Sequence, residues 1–160
     1  MPAGAQAASV ASSALKLKVD QSNNTTDGLS LCNGLWGQTF VPRAKNLARV
    51  DLRLTINNLT EQTPTTAALH TLITGTPIAT TTTLVAPHAP GELSRTVAYS
   101  FDPPIHLTKD TTYTLAFMAP PDACWEFTFI DPYPSGDAVL SDGTPLNPAA
   151  DFVFATYELK

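Results

Sequence analysis

The sequence predicts an all-β protein built as an antiparallel β-sandwich of the jelly-roll type, with nine or ten strands. Threonine occurs 23 times and proline 14 times among the 160 residues, while charged residues make up only 14%. Threonine suits half-buried strands because its branched Cβ restricts χ1, whereas proline is excluded from helix interiors and central strands. Short alternating segments recur with turn residues between them, and no segment has a convincing helical period. A closed barrel has the same alternation and stays an alternative.

The strands follow from this alternation. Residues 50–56 alternate apolar and polar side chains over the whole segment and are the clearest strand in the chain. Residues 66–74 have some helical character, but a turn precedes the threonine-rich segment 78–85, so a hairpin with a tight turn is the better interpretation. Residues 95–101 form another strand, which the two prolines at 103 and 104 are expected to end. The other predicted strands lie at 15–20, 35–41, 107–117, 125–130 and 151–157.

The length of the chain indicates one domain, which we assign to residues 15–160. Residues 1–14 lack the basic region and the apolar core of a signal peptide, and they are predicted to be a linker or N-terminal extension. No apolar run approaches the roughly 20 residues that a membrane span requires, so membrane insertion is not expected.

The charge of the chain narrows the class of partner. The net charge is −5, and the nine basic residues are spread thinly along the sequence. A nucleic-acid binder needs clustered lysine and arginine to displace counterions from phosphates, and an anionic membrane surface makes a similar demand. Nucleic acid is therefore not expected, and a neutral glycan or another protein fits better.

Two cysteines, Cys32 and Cys124, lie 92 positions apart, and each is followed within four residues by a tryptophan. In a secreted domain they would form a disulfide, which we favour over the alternative of two buried free thiols. The spacing contains no CxxC pair and gives no indication of a zinc site.

Candidate ligand-binding residues concentrate around the break at 131–137, where a strand meets prolines and a glycine. Flat aromatic rings stack on the apolar face of a sugar, while carboxylates and amides bind its hydroxyls. Tyr133 lies between two prolines and is the ring expected to be most exposed. Trp125 opens an alternating strand, which favours a position in the core. A core position is also favoured for Trp36. The candidate ligand-binding set is Tyr133, Asp131, Asp137, Trp36 and Trp125, with Asn147 as a further amide.

Catalysis is not expected. The three histidines occupy separate segments, with no spacing typical of a metal triad. No serine lies in a Gly-x-Ser-x-Gly motif, and Glu126 and Asp131 would point to opposite faces of a regular strand.

Several short motifs resemble a broad group of bacterial secreted jelly-roll modules, similar to galactose-binding-like and carbohydrate-binding modules. The resemblance covers residues 20–158, and its motifs are mostly structural. Members of the group often carry Gly-Gly where this chain has Ser135-Gly136, which leaves the turn type open. The motifs are Gln38-Thr39-Phe40-Val41-Pro42, the alternation at 47–54, the unit at 101–113, Asp131-Pro132-Tyr133-Pro134-Ser135-Gly136, and the last strand at 151–157.

The resemblance implies a secreted or cell-surface location and a non-catalytic carbohydrate-binding function. It also implies a structural calcium ion near the chain ends, for which Asp131, Asp137 and Asp151 are the candidate ligands; otherwise no cofactor is expected. The alternative function is a structural or self-assembling surface, appendage or capsid-like protein, in which residues 1–14 would pair with a neighbouring sheet edge.

Overall fold

The computed structural model describes residues 15–160, which form two antiparallel β-sheets packed face to face. The predicted all-β sandwich is confirmed, although the described residues form twelve strands rather than nine or ten, three of them only two or three residues long. In this part of the chain there is no helix that could cross a membrane. The strands are β1 (Leu17–Asn23), β2 (Leu29–Leu31), β3 (Gly34–Phe40), β4 (Asn46–Ile56), β5 (Thr63–His70), β6 (Ala79–Val85), β7 (Ser94–His106), β8 (Tyr113–Ala119), β9 (Ala123–Thr128), β10 (Ala138–Val139), β11 (Asp151–Phe152) and β12 (Phe154–Leu159).

The first sheet has seven strands and is organised around β4. One edge of β4 pairs with β7, and the other edge pairs first with β12 and then with β9. Beyond them, β1 pairs with β12, while β2 and β11 pair with β9. The second sheet has five strands in the order β10-β3-β8-β5-β6.

The first sheet forks at Val153, the residue between β11 and β12. The Val153 amide donates to the carbonyl of Glu126 at 2.9 Å, and the Val153 carbonyl accepts from the amide of Arg53 at 3.4 Å and from the indole nitrogen of Trp125 at 2.9 Å. The last strand of the chain therefore enters between β4 and β9, and it holds Arg53 and Glu126 on either side of the fork.

The core between the sheets is largely aromatic. The ring of Trp125 in β9 stacks on Phe152 at 4.1 Å and meets the edge of Phe117 from the other sheet at 6.0 Å. Phe127 continues the series towards the surface, 5.9 Å from Phe152. The core position favoured for Trp125 is confirmed, since its side chain is 0% exposed.

The disulfide between Cys32 and Cys124 is present and ties the segment between β2 and β3 to β9. The predicted pairing is confirmed, and neither cysteine is free. The bridge lies next to Trp125, so it fixes one end of the aromatic core.

One predicted strand end was wrong. β7 continues through Pro103 and Pro104 to His106, with a cis peptide bond between Asp102 and Pro103. The prolines are tolerated because β7 lies at the edge of its sheet, where a missing amide donor leaves no ladder partner unpaired. The prolines also lie in a bulge of β7: Ile105 pairs with Leu47 and Ser100 with Arg49, so residues 101–104 lie opposite Ala48 alone.

The edge of β7 is closed by side chains of the other sheet. The hydroxyl of Thr81 in β6 donates to the carbonyl of Ser100 at 2.7 Å, and that of Thr83 donates to the carbonyl of Ala98 at 2.9 Å. These bonds join the two sheets along one side without a backbone ladder, so the molecule is a sandwich rather than the closed barrel.

Candidate functional site

The outer face of the first sheet carries a row of polar side chains from β4. Val50, Leu52 and Leu54 fill the core, so the alternation of the strand turns Asp51 and Arg53 outwards, together with Arg49 and Thr55. The clearest strand of the sequence therefore contributes one face to the core and the other to a candidate site.

Pairing with the neighbouring strands turns this face into a hollow. Asp51 lies in one row with Ala155 of β12 and Ala98 of β7, which are small. The rows on either side carry larger side chains, Arg53 with Thr96 and Arg49 with Tyr157. The result is a cavity of about 230 Å³, whose lining includes Asn24, Asp51, Arg53, Thr96, Ala155 and Tyr157.

Asp51 is held from one side of this hollow. The guanidinium of Arg49 donates to both carboxylate oxygens of Asp51 at 2.5 and 2.7 Å, and the Tyr157 hydroxyl donates to one of them at 2.9 Å. The hydrogen bond to Asp51 raises the pKa of Arg49, and burial raises the pKa of Tyr157, with Asp51 adding to the effect. Arg49 also lies 4.9 Å from the centre of the Tyr157 ring, so the three side chains form one rigid unit.

Glu126 forms a second unit across the fork. Its side chain accepts from Arg53 Nε at 3.1 Å and from the hydroxyls of Thr26 and Thr55 at 2.9 and 3.1 Å. Arg53 also donates to the Ser94 hydroxyl at 2.8 Å. A further hollow of about 330 Å³ lies beside Glu126, and Arg53 borders both hollows. We call the two hollows together the sheet groove.

The sheet groove is suited to binding polar, uncharged groups. Asp51, Arg53, Glu126 and Tyr157 stand on strands and are held by hydrogen bonds, which lowers the entropy lost when a ligand binds. All four carboxylate oxygens of Asp51 and Glu126 already accept hydrogen bonds. A ligand in the sheet groove would therefore meet carboxylates that are already hydrogen-bonded by the protein.

The expectation that Tyr133 is exposed was wrong. Its side chain is only 7% exposed, packs edge-on against Phe154 at 5.2 Å, and donates its hydroxyl to Gln21 Oε1 at 3.0 Å. Burial raises the pKa of Tyr133. The loop folds inwards because Gly136 lies against β3, where a Cβ on Gly136 would stand 1.9 Å from the carbonyl oxygen of Thr39. The glycine permits this close approach.

The three candidate metal ligands lie in different surroundings. Asp151 is buried and accepts hydrogen bonds from Gln38 Nε2 at 2.9 Å and from the Tyr133 amide at 3.0 Å. Burial raises the pKa of Asp151 to about 6, although these hydrogen bonds act in the opposite direction. Asp131 and Asp137 are exposed. Residues 15–160 contain no group of three or more acidic, histidine or cysteine side chains placed to hold a metal ion, so calcium stays a prediction.

The other predicted site residues are not brought together. Trp125 is in the core, whereas Trp36 is partly buried and packs against the core from β3. The exposed aromatic ring near the break is instead Phe129, 44% exposed and 4.9 Å from Phe127. Asn147 is exposed, and its side-chain oxygen accepts from the amide of Ala149. None of these residues lines either hollow of the sheet groove.

The residues of the sheet groove were not predicted from the sequence. The available signal was the run Arg49, Asp51, Arg53 and Thr55 on the polar side of a strong strand. Such a run most often marks a solvated face, and nothing local indicates that Tyr157, more than 100 positions away, lies beside it.

Similarity to known proteins gives no indication of the function. No protein-family model matches the sequence, and no curated protein is significantly similar to it. The resemblance to secreted carbohydrate-binding modules therefore stays an expectation from short motifs.

Proposed function

We propose that the chain is a non-catalytic, extracellular carbohydrate-binding module whose ligand site is the sheet groove. The observation that carries the proposal is the hollow over Asp51, walled by Arg53 and Thr96 on one side and by Tyr157 on the other. The disulfide is compatible with an extracellular protein, because such bonds persist in oxidising surroundings.

The chemistry of the hollow matches a neutral sugar. Sugar hydroxyls both donate and accept, and the hollow offers the amide of Asn24, the guanidinium of Arg53 and the hydroxyl of Thr96. Val153 and Ala155 supply apolar lining for the C–H face of the ring. The volume of about 230 Å³ lies below the range of about 300–1,000 Å³ typical of drug-sized ligands, which suits a short or terminal sugar unit.

Filling the hollow tests this site. Ala155→Leu adds bulk where Ala155 lines the cavity and leaves every polar partner in place, so the affinity for a neutral glycan is expected to fall by about tenfold or more. Asn24→Ala is expected to weaken binding by roughly tenfold through the loss of hydrogen bonds. Screening on a glycan array, followed by titration calorimetry with the best neutral glycan, measures both effects.

The matched control is Ala68→Leu, the same substitution on the outer face of the other sheet, next to β8. It should leave the affinity unchanged. The proposal fails if the wild-type protein binds no neutral glycan at high protein concentration, or if Ala155→Leu and Ala68→Leu behave alike.

A second candidate function, assembly with other copies of the chain, is favoured by the surface of β1. Leu15, Leu17 and Val19 are exposed, and among the described residues β1 pairs with β12 alone. An edge strand with free backbone groups and apolar side chains is a template for pairing with another chain. The predicted linker, residues 1–14, lies outside the described residues.

Light scattering during size-exclusion chromatography tests assembly. If β1 mediates it, the full chain should elute as an oligomer, and Leu17→Lys with Val19→Lys should convert it to a monomer. Leu72→Lys, a change at another exposed leucine, is the control and should leave the oligomer intact. A wild-type protein that stays monomeric at high concentration would rule out this second function.

A further inference from the structure

The positive charge of the protein is concentrated at one end of the sandwich. Backbone hydrogen bonds bring four segments together there: Lys16 and Lys160 bond to each other at 2.6 and 3.0 Å, and Leu107 donates to Lys45 at 2.9 Å. The amide of Arg43 donates to both carboxylate oxygens of Asp20, at 3.1 and 3.2 Å. The segments that meet are 15–20, 41–45, 107–112 and 157–160.

These segments hold six of the nine basic residues of the chain but only three of its fourteen acidic residues. The local formal charge is +3, while the rest of the chain carries −8. The basic residues are Lys16, Lys18, Arg43, Lys45, Lys109 and Lys160, and the acidic residues are Asp20, Asp110 and Glu158.

Most of these cations are available to a ligand. Within residues 15–160 the ion pairs of this end are limited to Lys160 with Glu158, at 2.8 Å. The other three basic residues already form ion pairs: Arg49 with Asp51, Arg53 with Glu126, and Arg95 with Glu92. Uncompensated positive charge is therefore a property of this end of the molecule.

A groove runs through the cluster. It has a volume of about 540 Å³, within the usual range for small-molecule sites. Its lining includes four basic residues, Lys18, Arg43, Lys45 and Lys160, and two acidic ones, Asp20 and Glu158. Val19 and Leu159 add apolar surface between the charges. We call this the basic groove.

We propose that the basic groove binds an acidic polysaccharide, a glycan whose sugar units carry carboxylate or sulfate groups. Lys18, Lys45 and Arg43 pair with the anionic groups, and Val19 and Leu159 contact the C–H faces of the sugar rings. This site uses residues distinct from those of the sheet groove, and it does not depend on the function proposed there.

The charge distribution favours a glycan over nucleic acid. A long, densely charged phosphate chain would extend past the +3 end and be repelled by the −8 of the remaining surface. A less densely charged chain can place one or two anionic units in the groove. The disulfide is also compatible with an oxidising compartment outside the cell.

Affinity electrophoresis in gels containing hyaluronate, with one carboxylate per two sugars, or lightly carboxymethylated dextran tests the proposal, with neutral dextran as the reference polymer. The wild-type chain should be retarded by at least one acidic polymer at low salt and not by neutral dextran. The double variant Arg43→Gln, Lys45→Gln should bind about tenfold more weakly. The slope of log affinity against log salt concentration should fall by roughly two, because two fewer counterions are released on binding. Both residues are exposed, so the variant is expected to fold.

The control keeps the change in net charge but moves it away from the groove. Asn58→Asp with Gln62→Glu alters two exposed positions in the loop between β4 and β5 and also shifts the net charge by two units. It should retain most of the binding. Equal loss in both double variants, no retardation by either acidic polymer, or tighter binding to a single-stranded oligonucleotide or to anionic lipid vesicles would overturn the proposal.

Discussion

Replacing Cys32 and Cys124 by serine is expected to lower the free energy of unfolding by about 4 kcal/mol, the largest effect among the predictions for this protein. The bridge closes a loop with a sequence separation of 92 residues, and the chain-entropy model gives about 4–5 kcal/mol for a loop of that size. Cys124 is also fully buried, so the new hydroxyl needs a partner. Denaturation with guanidinium chloride, monitored by tryptophan fluorescence, measures the difference.

Reduced wild-type protein is the control that separates the bond from the serine side chains. It keeps both sulfur atoms but lacks the cross-link, so most of the loss should appear on reduction alone. If the oxidised and reduced proteins unfold at the same denaturant concentration, the bridge does not provide the expected stability.

The substitution Trp125→Ala is expected to cost about 3–5 kcal/mol of folding free energy. The ring is 0% exposed, stacks on Phe152 at 4.1 Å, and donates its N–H to the Val153 carbonyl at 2.9 Å. Its removal leaves a large cavity at the fork of the sheet. Thermal unfolding followed by circular dichroism should show a clearly lower midpoint.

Phe129→Ala is the matched control, because Phe129 ends the same aromatic series but is 44% exposed. Its removal should cost about 1 kcal/mol or less, since much of its surface already faces water. If Trp125→Ala cost no more than Phe129→Ala, the assignment of Trp125 to the core would be contradicted.

The sequence was informative about which face of a strand is buried. In residues 50–56 of β4 the apolar residues alternate without interruption, and each one that was predicted to face inwards lies in the core. It was less informative about where strands end. Proline has no backbone N–H, so Pro103 and Pro104 end a strand only if a neighbouring strand requires that N–H as a donor. Whether it does depends on whether the strand lies at an edge of the sheet.

Tyr133 shows why its expected exposure was wrong. Prolines on both sides indicate a loop, and loops are usually exposed. The direction of the ring was decided instead by contacts distant in sequence, namely the approach of Gly136 to Thr39 and the hydrogen bond to Gln21. The local sequence contains the glycine but not the strand that it approaches.

Both grooves are products of tertiary structure. The hollow over Asp51 exists because Ala98 and Ala155 flank it in the sheet, and neither is near Asp51 in sequence. The basic residues are thinly spread along the chain, as the sequence analysis found, yet the fold gathers Lys18, Arg43 and Lys160 around one groove. The net charge is a sum over the whole chain, so it does not show that the basic residues lie together at one end.

Where β6 and β7 meet, threonine side chains rather than backbone groups connect the two sheets. In a ladder the separation of strands is set by the peptide unit and is the same for every sequence. Here it is set by the reach of the Thr81 and Thr83 side chains. Along this side the two sheets are therefore joined by two individual side chains, which can be exchanged without disturbing a backbone ladder.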